Sequence, residues 1–217
     1  MFLGHFAVGL GTKWAAPKVS LGTLFLAAQF TDLLLPTFLL VGLEAVRIQP
    51  GVTAVTPLDF FHYPISHSLA AAVMWALLFG LVYGLVKRYS RGVLVLALAV
   101  ASHWFLHFLT HRPDLPLYPG GSRLVGLGLW SSLWGTLAVE LVIFAIGIWL
   151  YVRSTRATDR AGLLGFWGLV LFLLVVYLAN LYGPPPPSVS ALAWVGQAQW
   201  LIVIWGYWVD RHRQLRY

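Results

Sequence analysis

The sequence predicts an all-α, polytopic membrane helix bundle, and three observations carry that prediction. Of the 217 residues, 59% are hydrophobic and only 10% are charged, where soluble domains carry about 25% charged residues. The apolar residues gather into runs near the ~20 residues that a helix needs to cross a bilayer. No polar stretch between those runs is long enough for a separate soluble domain, so residues 1–217 read as one integral membrane domain. Cysteine is absent, which excludes disulfides and thiol chemistry.

Six runs qualify as spans: residues 19–46, 64–86, 92–110, 124–151, 162–182 and 191–209. Residues 2–11 form a further apolar segment, too short to span, and read as an interfacial or re-entrant piece. No basic residue precedes that segment; Lys13 and Lys18 follow it, so it does not read as a cleaved signal peptide. Basic residues test the map. With both termini in the cytoplasm, the cytoplasmic segments hold Lys13, Lys18, Lys87, Arg88, Arg91, Arg153, Arg156, Arg160, Arg211, Arg213 and Arg216. The outer loops hold only Arg47, Arg112 and Arg123, and eleven against three obeys the positive-inside rule. The formal charge of +7 is thereby explained by topology, and no nucleic-acid partner is implied.

The first run is long: its 28 residues make about 42 Å of helix against a ~30 Å hydrocarbon core, so it must tilt, protrude or break. Pro36 offers the break, because it cannot donate to the carbonyl of Asp32. Asp32 then sits at membrane depth, where a carboxylate reads as a metal ligand or proton carrier. The loop after this run leads into His62-Tyr63-Pro64-Ile65-Ser66-His67-Ser68. Pro64 suits the first turn of the second helix, and His67 falls one turn inside it.

The chain is organised around the third run, where His103, His107 and His111 recur four residues apart. That spacing puts all three on one helix face. A buried hydrogen-bonded stripe is the bland alternative, but histidines are costly at membrane depth without partners. Three in register, with His62 and His67 upstream, point to a metal or proton site. Imidazole and carboxylate donors suit a divalent first-row ion, zinc first, with manganese and iron also compatible. The candidate ligands are His67, His103, His107, Asp32 and His5, with Asp32 and His62 as candidate catalytic bases.

The remaining polar groups read less sharply. Arg112 and Asp114 either pair or flank a substrate mouth. Glu140 lies mid-membrane in the fourth run, whose small residues Gly126, Gly128, Ser131, Ser132 and Gly135 suit close helix packing. Gln197 and Gln199 suit interhelical hydrogen bonds, and Pro184–Pro187 a stiff connector.

The same blocks resemble a family, the bacterial inner-membrane metal-dependent hydrolases of the YdjM type. Its early His, Pro-Asp-x-Asp element, H-x-G-x-T-H-S block and S-H-x-x-x-D helix find counterparts here. These are His5, Asp32, His62 to Ser68, and Ser102 to Thr110. Order and spacing agree over residues 1–120, which makes this the metal-site half and residues 121–217 supporting helices. Two positions depart: Leu34 stands where the family has its second Asp, and His107 where it has the Asp of the third block. The resemblance implies an inner-membrane location and hydrolysis assisted by a metal-activated water. A site at membrane depth adds the expectation of a lipid-like ester or phosphoester as substrate. The competing readings are a metal-ion or proton transporter, which needs polar groups through both membrane halves, and a non-catalytic membrane subunit. The oligomeric state is not readable from the sequence.

Overall fold

A computed structural model describes residues 1–216. Ten α-helices are found among these residues: α1 (Phe2–Ala15), α2 (Leu21–Ala28), α3 (Phe30–Leu40), α4 (Pro64–His67), α5 (Leu69–Lys87), α6 (Ser90–Thr110), α7 (Leu133–Ser154), α8 (Arg160–Tyr182), α9 (Val189–Gln197) and α10 (Gln199–Arg211). Three antiparallel ribbons trim the ends: β1 (Ala45–Ile48) with β2 (Leu58–His62), β3 (Leu115–Pro116) with β4 (Leu124–Val125), and β5 (Thr155–Ala157) with β6 (Arg213–Leu215). Five helical units among the described residues are long and apolar enough to cross a membrane: α5, α6, α7, α8 and α9 with α10. The bent pair α2 and α3 makes a sixth.

The first span does break, but at Gln29 instead of Pro36. The two halves meet at 58°, and Gln29 takes φ −100° and ψ 7° between them. Breaking there frees the Ala28 carbonyl, which would otherwise serve residue 32, and His103 of α6 donates to it from Nδ1 at 2.9 Å. Asp32 consequently lies in the first turn of α3, where the helix dipole favours a carboxylate, and its carbonyl lacks a donor from Pro36 one turn on. Pro36 stays inside α3 and packs on Gly196 of α9, where a Cβ would come 2.6 Å from its ring.

Three other expectations are corrected. Of the interfacial and re-entrant readings of residues 2–11 the interfacial one falls: they belong to a longer helix whose Leu3, His5, Phe6 and Leu10 are fully buried. This helix packs along α7 so closely that a Cβ on Gly147 would lie 2.6 Å from the Ala7 carbonyl. The second span is interrupted at Ser68, whose extended backbone ends α4 and whose hydroxyl accepts from Ala71 N–H to start α5. The fourth span begins only at Leu133, so Gly126 and Gly128 do not pack helices. Both have positive φ, and a Cβ on Gly126 would collide with the His111 and Arg112 carbonyls. They let the chain pass against the end of α6, where Leu127 and Gly128 N–H donate to the Phe108 and His111 carbonyls at 2.8 and 2.7 Å.

Three apolar cores fill the bundle, the smallest of them Tyr63, Ala72, Trp104 and Leu115 at the site end, and two lie deeper. Phe6, Leu10, Phe25, Phe144, Phe166 and Leu173 join α1, α2, α7 and α8, and Leu24, Ala76, Leu96 and Val100 join α2, α5 and α6. At the end rich in basic residues, buried Lys13 donates to Asp210 at 2.9 Å and to the Val19 carbonyl at 2.8 Å. The site lies beyond the two deeper cores, toward the opposite end.

Candidate metal centre

Three of the candidate histidines, His67, His103 and His107, are each oriented by a hydrogen bond on the outer nitrogen. The first case starts from Glu44, just past α3. Its Oε1 accepts from the Ile65 and Ser66 N–H groups at 2.7 and 2.8 Å, and its Oε2 accepts from Ser66 Oγ at 2.6 Å. A hydroxyl has one proton. Ser66 gives it to Glu44 and must therefore accept from His67 Nδ1, 2.6 Å away. Neutral His67 then turns an Nε2 lone pair toward Asp32 Oδ1 at 3.2 Å.

The second chain starts from Asp114, which is ion-paired to Arg112 through Oδ2 at 3.0 Å. Arg112 also pairs with Asp59, which anchors the β1–β2 ribbon. Asp114 Oδ1 accepts from His111 Nδ1 at 2.8 Å, so His111 Nε2 accepts from His107 Nδ1 at 2.9 Å. That leaves a lone pair on His107 Nε2, which points at His5 Nε2 from 3.0 Å. Tyr63 supports the same carboxylate: burial and the neighbouring Asp114 push its phenol well above its ordinary range, so it stays a donor to Asp114.

His103 completes the pattern. A carbonyl only accepts, so the Ala28 bond fixes its proton on Nδ1. Its Nε2 makes no hydrogen bond among the described residues and lies 3.4 Å from Asp32 Oδ1. Three histidines on two elements thus turn unprotonated nitrogens inward, those of His67 and His103 to Asp32 and that of His107 to His5, each through a different outer partner. His5 adds an imidazole stacked on His103 at 3.8 Å between ring centres, with its Nδ1 unpartnered among the described residues and its Nε2 3.8 Å from Asp32 Oδ2.

Confronted acceptors repel, and a cation between them removes the repulsion. One donor atom from each of His5, Asp32, His103 and His107 falls within 4.8 Å of all the others. Metal–ligand bonds of about 2.0–2.2 Å bring tetrahedral donors to roughly 3.3–3.6 Å apart, so a small contraction seats an ion. His67, joined through Asp32 Oδ1, offers a fifth donor. Outer hydrogen bonds that fix the tautomer of a ligating histidine are characteristic of metal sites. Alternatively, protonating three stacked buried imidazoles would accumulate charge in an apolar bundle.

Five of the residues singled out in the sequence therefore meet: His5, Asp32, His67, His103 and His107. His62 does not. It is the last residue of β2 and is exposed, outside the cluster. His111 stands behind His107 as its orienting partner. Glu44, Ser66 and the Ala28 carbonyl were not foreseen, although Ser66 sits inside the motif. Glu140 serves the structure: its Oε2 accepts from Leu3 N–H at 2.7 Å and Gly4 N–H at 3.4 Å, capping α1 from α7. Gln197 does bond across helices, to Thr37 at 2.9 Å, whereas Gln199 Oε1 is buried without a partner among the described residues.

Asp32 and His107 also line a cavity of about 630 Å³, within the ~300–1,000 Å³ of small-molecule sites. Leu35, Pro36 and Leu39 of α3, Leu192 and Val195 of α9, and the loops at 50–58 and 183–187 enclose its apolar part. Asp32 keeps 22% of its side chain exposed, while the histidine side chains are at most 2% exposed where they meet it. No protein-family model, curated protein or solved structure matches this chain.

Proposed function

We propose that this protein is a membrane-embedded, metal-dependent hydrolase of the bacterial inner membrane, cleaving an ester or phosphoester of a lipid-like substrate. The observation that carries the reading is the convergence of oriented imidazole lone pairs on Asp32 at the wall of an apolar cavity. The N₃O donor set contains no sulfur and suits zinc, with iron or manganese next. A divalent ion held there supplies Lewis acidity, bringing the pKa of water toward neutrality and polarising a carbonyl or phosphoryl oxygen.

The chain's own residues do the rest. Asp32 reaches the histidines with both oxygens and borders the cavity, so it can hold the ion and take the proton of the attacking water. His103 and His107, locked by Ala28 and His111, keep the site from rearranging between turnovers. His62 has no place in this scheme. The apolar cavity walls exclude bulk water and accept a hydrocarbon chain. The basic-residue distribution supports cytoplasmic termini, with the cavity then toward the outer half of the membrane.

The transporter reading fares worse. Fully buried Phe6 and Leu10 of α1, between His5 and Lys13, and Leu24 and Phe25 of α2 put apolar side chains on the way from the cluster to the Lys13–Asp210 pair. The test is hydrolysis of chromogenic carboxylic and phosphate esters by detergent-purified protein. Asp32→Asn and His103→Ala should each lower the rate at least about a hundredfold, with His62→Ala near wild type. Equal rates in all four proteins would defeat the proposal.

A further inference from the structure

The cavity has a second polar pole, away from the histidine cluster. Glu140, Tyr177 and Gln199 all line it. The Tyr177 side chain is 2% exposed, yet its hydroxyl has no hydrogen-bond partner among the described residues, and Gln199 Oε1 is buried and equally unpartnered. Buried polar atoms without partners cost about 1–3 kcal/mol each, a cost that a ligand bearing hydroxyls relieves. A phenol donates, an amide carbonyl accepts, and a ligand hydroxyl can do both.

The charge around the cavity is selective as well. Among the described residues, its lining holds two carboxylates, Asp32 and Glu140, and neither lysine nor arginine. Sites that bind a phosphate away from a metal ion place arginine, lysine or clustered backbone N–H groups on the anion. A phosphate on the head group, at this pole and away from the histidine cluster, would be desolvated beside Glu140 with no lysine or arginine to meet it, and the one cation there, the Met1 ammonium, already lies by Glu140. The long apolar wall between α3 and α9 calls for a hydrocarbon chain.

We propose that the substrate is an uncharged ester of a long-chain carboxylic acid with a polyol, the polyol being held by Tyr177 and Gln199. This rests on the hydrolase reading and narrows its two ester classes to one. The acyl chain lies along Leu35, Leu39, Leu192 and Val195, and the ester group lies at Asp32 and His107. Water adds its oxygen to the acyl carbon, the bond from that carbon to the polyol oxygen breaks, and the departing oxygen takes a proton from the water. The products are the fatty acid and the free polyol.

The test uses the purified full chain and two ether analogues that cannot be cleaved: an octadecyl glycerol ether and the same molecule phosphorylated. Binding is followed by the fluorescence of Trp130, which lines the cavity, with Trp130→Phe identifying its signal. The neutral ether should bind at least about tenfold more tightly than its phosphate. Tyr177→Phe and Gln199→Leu should each weaken the neutral ether about fivefold, the worth of one hydrogen bond, while metal content stays unchanged. Equal or tighter binding of the phosphate overturns the inference, as do variants that bind the neutral ether like wild type. Monooleoylglycerol cleavage separates the two levels. A metal-loaded esterase that prefers the phosphate analogue defeats this inference alone. Tight neutral binding by a protein with neither metal nor esterase activity supports the cavity assignment and defeats the hydrolase reading.

Discussion

Histidine presents two nitrogens, and what it can do depends on which one its surroundings occupy. In this protein the outer nitrogens of His67, His103 and His107 are taken by Ser66, Ala28 and His111, leaving the inner ones free to bind. The four-residue spacing in the sequence located the histidine face. It could not reveal the tautomers, because those depend on Glu44, Ser66 and a carbonyl exposed only by a helix break. His62 fails for a similar reason: a residue next to the motif looks available, but the chain leaves it exposed at the end of β2. Removing an orienting partner of a ligand lowers metal affinity about 10–100-fold. Ser66→Ala and Asp114→Ala should do so in a competition titration with a chelating dye, and His62→Ala should not. Unchanged affinity in both orienting variants would mean that the histidines do not serve as ligands.

Elements position the site through close approaches and breaks. Helix α1 brings His5 to the cluster because Gly147 lets its backbone lie on α7 and Glu140 caps its first turn. The sequence marked residues 2–11 as apolar and too short to span, which left burial within the bundle unread. Gly147→Ala forces a Cβ into the Ala7 carbonyl and should cost about 1–3 kcal/mol. Gly168→Ala, whose Cβ would meet Trp205 only at 3.6 Å, should be neutral. Unfolding in detergent compares the two, and equal loss would remove the close approach as the cause. The break at Gln29 was expected at Pro36, since proline is visible in a sequence whereas a carbonyl claimed by a distant histidine is not. At the other end, His212 donates to Asp159, at the start of α8, at 2.8 Å, and this bond holds the carboxyl below its ordinary 3.8. A carboxylate shifted down stabilises the fold above its ordinary pKa, and that contribution fades as the pH falls through 3.8 and below. Midpoint temperatures measured against pH should show a small acid loss that Asp159→Asn lacks; identical curves would contradict the pairing.

At the scale of the whole molecule, composition and helix-length apolar runs were enough to foresee a helical membrane bundle, because burial in lipid demands satisfied backbone and apolar surfaces. The six-run map was right in number only when α2 with α3 and α9 with α10 are each taken as one broken span. The breaks serve the site: the one at Gln29 frees the carbonyl for His103, and the turn at Ser68 sets His67 against Asp32. The cavity was not legible in advance, since its walls come from α3, α8, α9 and two loops that are far apart in sequence. Its apolar length and its carboxylates, next to a cluster of oriented imidazoles, are what the proposed hydrolytic function rests on.

The most direct measurement is the metal content of the full chain, purified in detergent without chelator, by elemental mass spectrometry. Wild type and His62→Ala should carry close to one divalent ion per chain, with zinc foremost, and His103→Ala and His107→Ala should carry little. Wild-type protein without metal above background, even after incubation with zinc, manganese and iron, would contradict a metal centre at Asp32.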